Sequence, residues 1–151
     1  MSHNGAASII VLVEDNPADV YLFRMALRNA GLDFELIVIE DGAEALAFAR
    51  GEGKYAGSGT PDLAVLDLNL PKNGGVEVLK ALRHNPHFSN VPIVVASSSA
   101  SLRERTDAEK LGVNGYILKP ADLDSFLHIG MILKEMLLAS HPDGNSTVAS
   151  L

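Results

Sequence analysis

Five short apolar runs, each followed by a longer segment of helical periodicity, constrain this chain more than any other feature. The runs occupy residues 9–13, 34–39, 63–66, 91–96 and 115–118. Most are hydrophobic at every position instead of every second one, the pattern of parallel strands covered on both faces. Helix punctuation separates them. Asn16 can cap a first helix with Pro17 in its first turn and Gly31 closing it, and Asp41 can cap a second that ends at Gly51. A third helix is predicted over about 76–83, stopping before Pro86, a fourth over about 102–111, closed by Gly112, and a last over about 122–139. Strand alternating with helix in this way implies an α/β fold, a doubly wound five-stranded parallel sheet with right-handed crossovers.

The 151 residues suffice for one domain with a sizeable core. We expect that domain over 8–139, with flexible termini at 1–7 and 140–151 and a flexible surface loop over 51–61. The net charge of −7 argues against a nucleic-acid partner, and the lack of cysteine removes disulfides and thiolate metal sites. No apolar run approaches a membrane span and no signal peptide is evident, so a cytoplasmic location is expected.

In an open parallel sheet, ligands bind beyond the carboxyl ends of the strands. The residues at the end of each run are therefore informative. Glu14 and Asp15 come after the first, Asp67 and then Asn69 after the third, Ser97-Ser98-Ser99 after the fourth, and Lys119-Pro120 after the fifth. Clustered carboxylates repel one another unless a cation holds them. Oxygen donors without His or Cys suit a hard ion such as Mg²⁺. Asp67 can then serve as a nucleophile toward phosphorus, with Lys119 neutralising charge on the transferring group and Ser97 donating to the new phosphate. Taken singly, Asp67 reads as a strand-end cap and Glu14 and Asp15 as acids favoured by a helix dipole. Their joint arrival at one edge is what argues for chemistry.

The combination of "VED", "DLNLP", a hydroxyl after the fourth run and "KP" after the fifth resembles the receiver domain of two-component response regulators, the CheY-like (flavodoxin-like) fold. The resemblance covers roughly residues 8 to 139. It implies Asp67 as phosphoacceptor, Glu14 and Asp15 as the acidic pair for Mg²⁺, and Asn69 as a metal ligand through its backbone carbonyl. It further implies Ser97 as switch hydroxyl, Tyr116 as the aromatic that moves with it, Lys119 as the phosphate-pairing lysine, and a cis bond before Pro120. The donor implied is a histidine kinase. "VEDNPADVYLF" and "LDLNLPKNGG" are similar to stand-alone regulators serving phytochrome-type bacterial photoreceptor kinases. Gly74 replaces an acid common in the family, and Ser97 stands where threonine is commoner.

A phosphatase of the haloacid dehalogenase class would need an acid where Asn69 stands, and a flavin-mononucleotide binder would need a neutral loop where Glu14 and Asp15 stand. The remaining alternative is a pseudo-receiver, an interaction module without phosphorylation. The last helix predicts a partner surface. Leu123, Phe126, Leu127, Ile129, Met131, Ile132, Leu133, Met136, Leu137 and Leu138 cover more than the single stripe needed to pack on one sheet, which points to a homodimer or a docked partner.

Overall fold

In a computed structural model of the chain, the described residues are 7–57, 59–70, 74–98 and 101–139. Strands and helices alternate throughout: β1 (Ser8–Val13), α1 (Pro17–Asn29), β2 (Phe34–Ile39), α2 (Gly42–Arg50), β3 (Leu63–Leu66), α3 (Gly75–His84), β4 (Ile93–Ser97), α4 (Leu102–Lys110), β5 (Gly115–Leu118) and α5 (Leu123–Ala139). The strands form one sheet in the order β2-β1-β3-β4-β5, and every pairing is parallel. The expected flexible ends lie outside the described residues, Ala7 apart.

Alternation within each strand divides the core between the two faces of the sheet. Val11, Val13, Ala64, Leu66, Ile93 and Val95 face one layer, where α2 and α3 contribute Phe48, Val78, Leu79 and Leu82. Ile10, Leu12, Leu63, Val65, Val94 and Ala96 face the other, closed by Phe23 and Leu27 of α1 and by Phe126, Ile129 and Leu133 of α5. Both faces are buried, which explains the unbroken apolar runs.

The helix starts follow the side chains that cap them. Asn16 Oδ1 accepts from Ala18 N at 2.9 Å, Asp41 Oδ1 from Glu44 N at 2.8 Å, and Ser101 Oγ from Glu104 N at 3.2 Å. At Gly130, α5 crosses α1 so closely that a Cβ would lie 2.0 Å from the carbonyl oxygen of Ala26. At Gly75 a Cβ would lie 2.3 Å from Leu68 Cα, which brings the start of α3 hard against the segment following β3.

Three expectations change. The segment expected to be loose over 51–61 is anchored at Tyr55: a 3-10 turn at Gly53–Tyr55 lets Tyr55 pack edge-on to Phe48 at 5.3 Å and donate to Glu44 Oε2 at 2.7 Å. Burying an aromatic ring outweighs the freedom that the surrounding glycines would otherwise give. The strand expected over 91–96 is Ile93–Ser97, with Val91 closing a turn onto Phe88. In α5, Phe126, Ile129, Leu133 and Met136 are buried in the core, Leu127, Ile132 and Leu137 are half-buried, and Leu123, Met131 and Leu138 are the exposed apolar side chains. Much of the apolar excess is therefore spent on α1 and the sheet, including the T-shaped contact of Phe126 with Phe23 at 5.0 Å.

Candidate functional site

The chain crosses from one side of the sheet to the other between β1 and β3, and the crevice beyond their carboxyl ends is where such sheets bind ligands. Backbone bonds fix the residues that emerge there. Glu14 N donates to Ile39 O at 2.9 Å, Asp67 N to Val13 O at 3.0 Å and Lys119 N to Ser97 O at 2.8 Å. Each side chain is thus launched from the last rung of the sheet ladder, where backbone freedom is least.

Lys119 is the point on which they converge. Its Nζ donates to Glu14 Oε1 at 2.6 Å, Asp19 Oδ2 at 2.8 Å and Asp67 Oδ2 at 3.1 Å. These are the three donors an ammonium possesses. The Lys119, Glu14 and Asp67 side chains are only 7%, 1% and 6% exposed. Asp67 Oδ1 accepts from Asn69 N at 2.9 Å, which orients the carboxylate from its other side. Glu14 Oε2 accepts from Asn16 N at 3.2 Å.

Burial disfavours charge on both central groups, with opposite outcomes. It pushes the Glu14 carboxyl up to about 7, helped by the nearby charge of Asp67 and opposed by Lys119. It also works to lower the Lys119 ammonium, but hydrogen bonds to Asp19 and Glu14 outweigh it and hold that group above an ordinary lysine.

Carboxylate oxygens of Glu14, Asp15 and Asp67 lie within 4.8 Å of one another. The cluster offers only hard oxygen donors, an exposed wall at Asp15, and more negative charge than Lys119 neutralises. These residues fit a small divalent cation such as Mg²⁺.

Two of the expected residues meet elsewhere. Ser97, fully buried, donates through Oγ to Glu104 Oε1 at 2.9 Å, and Tyr116 OH donates to the same oxygen at 3.3 Å. Asn69 Nδ2 approaches Ser97 Oγ at 3.4 Å, a long bond that joins this pair to the acidic cluster. Tyr116 is already inside, 7% exposed, so the expected inward move would start from a buried ring. Burial raises its phenol above the ordinary tyrosine value. Ser98 is exposed, and Ser99 lies outside the described residues.

The Lys119–Pro120 bond is trans, contrary to expectation, since no cis peptide bond occurs among the described residues. Trans is the lower-energy isomer before proline by about 0.5–1 kcal/mol, and here Lys119 keeps both its ladder bond and its three carboxylate contacts with it. Asp19 and Glu104 were not expected at the site from the sequence. Each is an acid in a helix's first turn, a position that the helix dipole explains without further function.

A family model described as the response regulator receiver domain matches residues 10–129. The chain belongs to this family. The receiver is 40% identical to response regulator Rcp1 of Synechocystis sp. over 115 residues, 76% of this chain and 78% of that protein. Its fold is similar to the phosphorylated cyanobacterial phytochrome response regulator RcpA, with a TM-score of 0.81 and 41% identity over 89% of this chain and 96% of that one. It is also similar to the Mn²⁺-bound form of Rcp1, with a TM-score of 0.78 and 36% identity over 87% and 94% of the two chains.

Because the native receiver holds a proton on Glu14 that the unfolded chain releases at lower pH, its unfolding free energy should fall as pH rises toward about 7. Thermal melts in EDTA should show a melting temperature lower at about pH 7.5 than at about pH 5.5, with Glu14→Gln flattening the slope. A melting temperature that rises over the same range in the parent protein would contradict the upward shift of Glu14.

Proposed function

We propose that this receiver accepts a phosphoryl group on Asp67 from a histidine kinase and signals through its surface. The observation that carries the reading is the contact of Lys119 Nζ with Asp67 at 3.1 Å beside the Glu14, Asp15 and Asp67 cluster. An Asp67 oxygen attacks phosphorus, a new C–O–P linkage forms, and the P–N bond to the donor histidine breaks with its electrons returning to the ring. Mg²⁺, held by Glu14, Asp15 and Asp67 and the backbone carbonyl of Asn69, would supply charge neutralisation at the transferring group. Lys119 keeps its bonds to Glu14 and Asp19 while the donor now given to Asp67 passes to a phosphoryl oxygen. Ser97 donates to another, and Tyr116 responds to its departure.

The fully formed residue set disfavours the pseudo-receiver alternative. The receiver catalyses nothing beyond its own phosphorylation and dephosphorylation, and it works in the cytoplasm beside its kinase. Similarity to RcpA and Rcp1 supports a phytochrome-type photoreceptor kinase as the donor.

Intact-mass spectrometry after incubation with acetyl phosphate tests the chemistry. One added phosphoryl group that requires both Mg²⁺ and Asp67 is expected, with Asp67→Asn unlabelled. A parent protein that stays unmodified after prompt quenching would leave the pseudo-receiver as the better account.

The exposed Leu123, Met131 and Leu138 of α5 favour a second copy of the chain as partner on that helix. Met136, an obvious candidate from the sequence, is buried and serves the core. Light scattering should give a dimer mass for the parent and a monomer mass for Met131→Glu. A monomer mass for both would rule the dimer out.

A further inference from the structure

The carboxylate of Glu104 is the unexpected partner of both residues assigned to the switch. Ser101-Leu102-Arg103-Glu104 has the spacing of a capping box, in which the cap hydroxyl accepts from the third residue and the acid there reaches back to the cap. The first half is formed, since Ser101 Oγ accepts from Glu104 N at 3.2 Å. Glu104 Oε1 also accepts from Ser97 Oγ at 2.9 Å and from Tyr116 OH at 3.3 Å. One oxygen on α4 therefore ties together β4, β5 and its own helix.

We propose that Glu104 is a positioning residue that holds Ser97 in the resting state, and that the phosphoryl group must take Ser97 from it. This rests on the phosphoacceptor reading of Asp67 and extends it. A hydroxyl has a single hydrogen to donate, and in the resting protein Ser97 gives it to Glu104. A phosphoryl oxygen on Asp67 competes for that same hydrogen. Both acceptors are anionic and both bonds are charge-assisted, so the exchange is close to balanced and its sign can be tuned by Glu104. When Ser97 leaves, the Tyr116 hydroxyl remains as donor to Glu104, which allows the carboxylate to shift with the ring without losing every partner.

The consequence falls on α4. This nine-residue helix, LRERTDAEK, buries a single residue, Ala108. A short polar helix has little stability of its own and depends on its tertiary contacts. The bonds from Ser97 and Tyr116 to Glu104 anchor its first turn, so releasing one of them converts a change at Asp67 into loosening of α4. The leverage comes from how little of the helix is buried.

Hydrogen exchange over residues 102–110, together with the phosphorylated fraction at limiting acetyl phosphate and Mg²⁺, tests this in the full chain. In the parent, phosphorylation should raise exchange in α4. In Glu104→Ala, exchange should be raised before phosphorylation and change little after it. The ratio of phosphorylated to unphosphorylated protein should increase by about fivefold or more, the lower end of ordinary coupling between sites. Glu104→Gln, which keeps shape and an acceptor oxygen but loses the charge, should fall between the two.

Coupling to Ser97 separates this role from a merely structural one. In a Ser97→Ala background, Glu104→Ala should leave the ratio nearly unchanged, because the hydroxyl through which it acts is gone. An unchanged ratio in Glu104→Ala, or an equal effect with and without Ser97, overturns the proposal while leaving Asp67 as phosphoacceptor. Failure of the parent protein to take up any phosphoryl group would instead remove the reading on which the proposal rests, and the proposal with it.

Discussion

The Lys119 ammonium, with each of its three donors committed to a different carboxylate, is the constraint around which the functional edge is arranged. It joins the end of β5 to the end of β1, the first turn of α1 and the end of β3. Buried ion pairs of this kind seldom add stability, because desolvating the charges costs about as much as their attraction returns, yet removing one partner costs about 3–5 kcal/mol. An arrangement so expensive to break and so poorly rewarded is better suited to chemistry than to holding the fold. The fold is held by two apolar layers on either side of the sheet.

The acidic surroundings then acquire a purpose. Glu14, Asp15, Asp19 and Asp67 place more negative charge at one strand edge than a single lysine can balance. Burial has already raised Glu14. Such a site favours whatever brings positive charge into it, as a divalent cation held by oxygen donors would. In the transfer proposed above, the lysine that contacts the resting carboxylates would also balance the phosphoryl group.

The sequence discloses the sheet because its central strands β1, β3 and β4 are buried on both faces and so are almost wholly apolar, and the helix ends because Asn16, Asp41 and Gly51 mark them chemically. The site residues are legible for a related reason: Glu14, Asp67 and Lys119 each interrupt the end of an apolar run, where an unpaired charge would be costly. Asp19 and Glu104 were hidden because a helix's first turn accounts for an acid locally, and only the fold brings Asp19 to Lys119 and Glu104 to Ser97. Residue type alone did not reveal that Met136 faces the core, that Tyr55 fastens its loop, or that the bond before Pro120 is trans. Each depends on contacts made by residues distant in the chain or on a small energy difference between isomers.

Two networks thus share the edge, one centred on Lys119 and one on Glu104, and Asn69 touches both, through its backbone N–H to Asp67 and its side chain to Ser97. That single residue is all that separates the two networks. The most direct test of the account is to locate the phosphoryl group. Borohydride reduction of the acetyl phosphate-treated protein converts an aspartyl phosphate to homoserine, which peptide mapping then reads. Homoserine at position 67 and nowhere else is the predicted result. A phosphoryl group on a serine or a histidine, with Asp67 recovered intact, would contradict it.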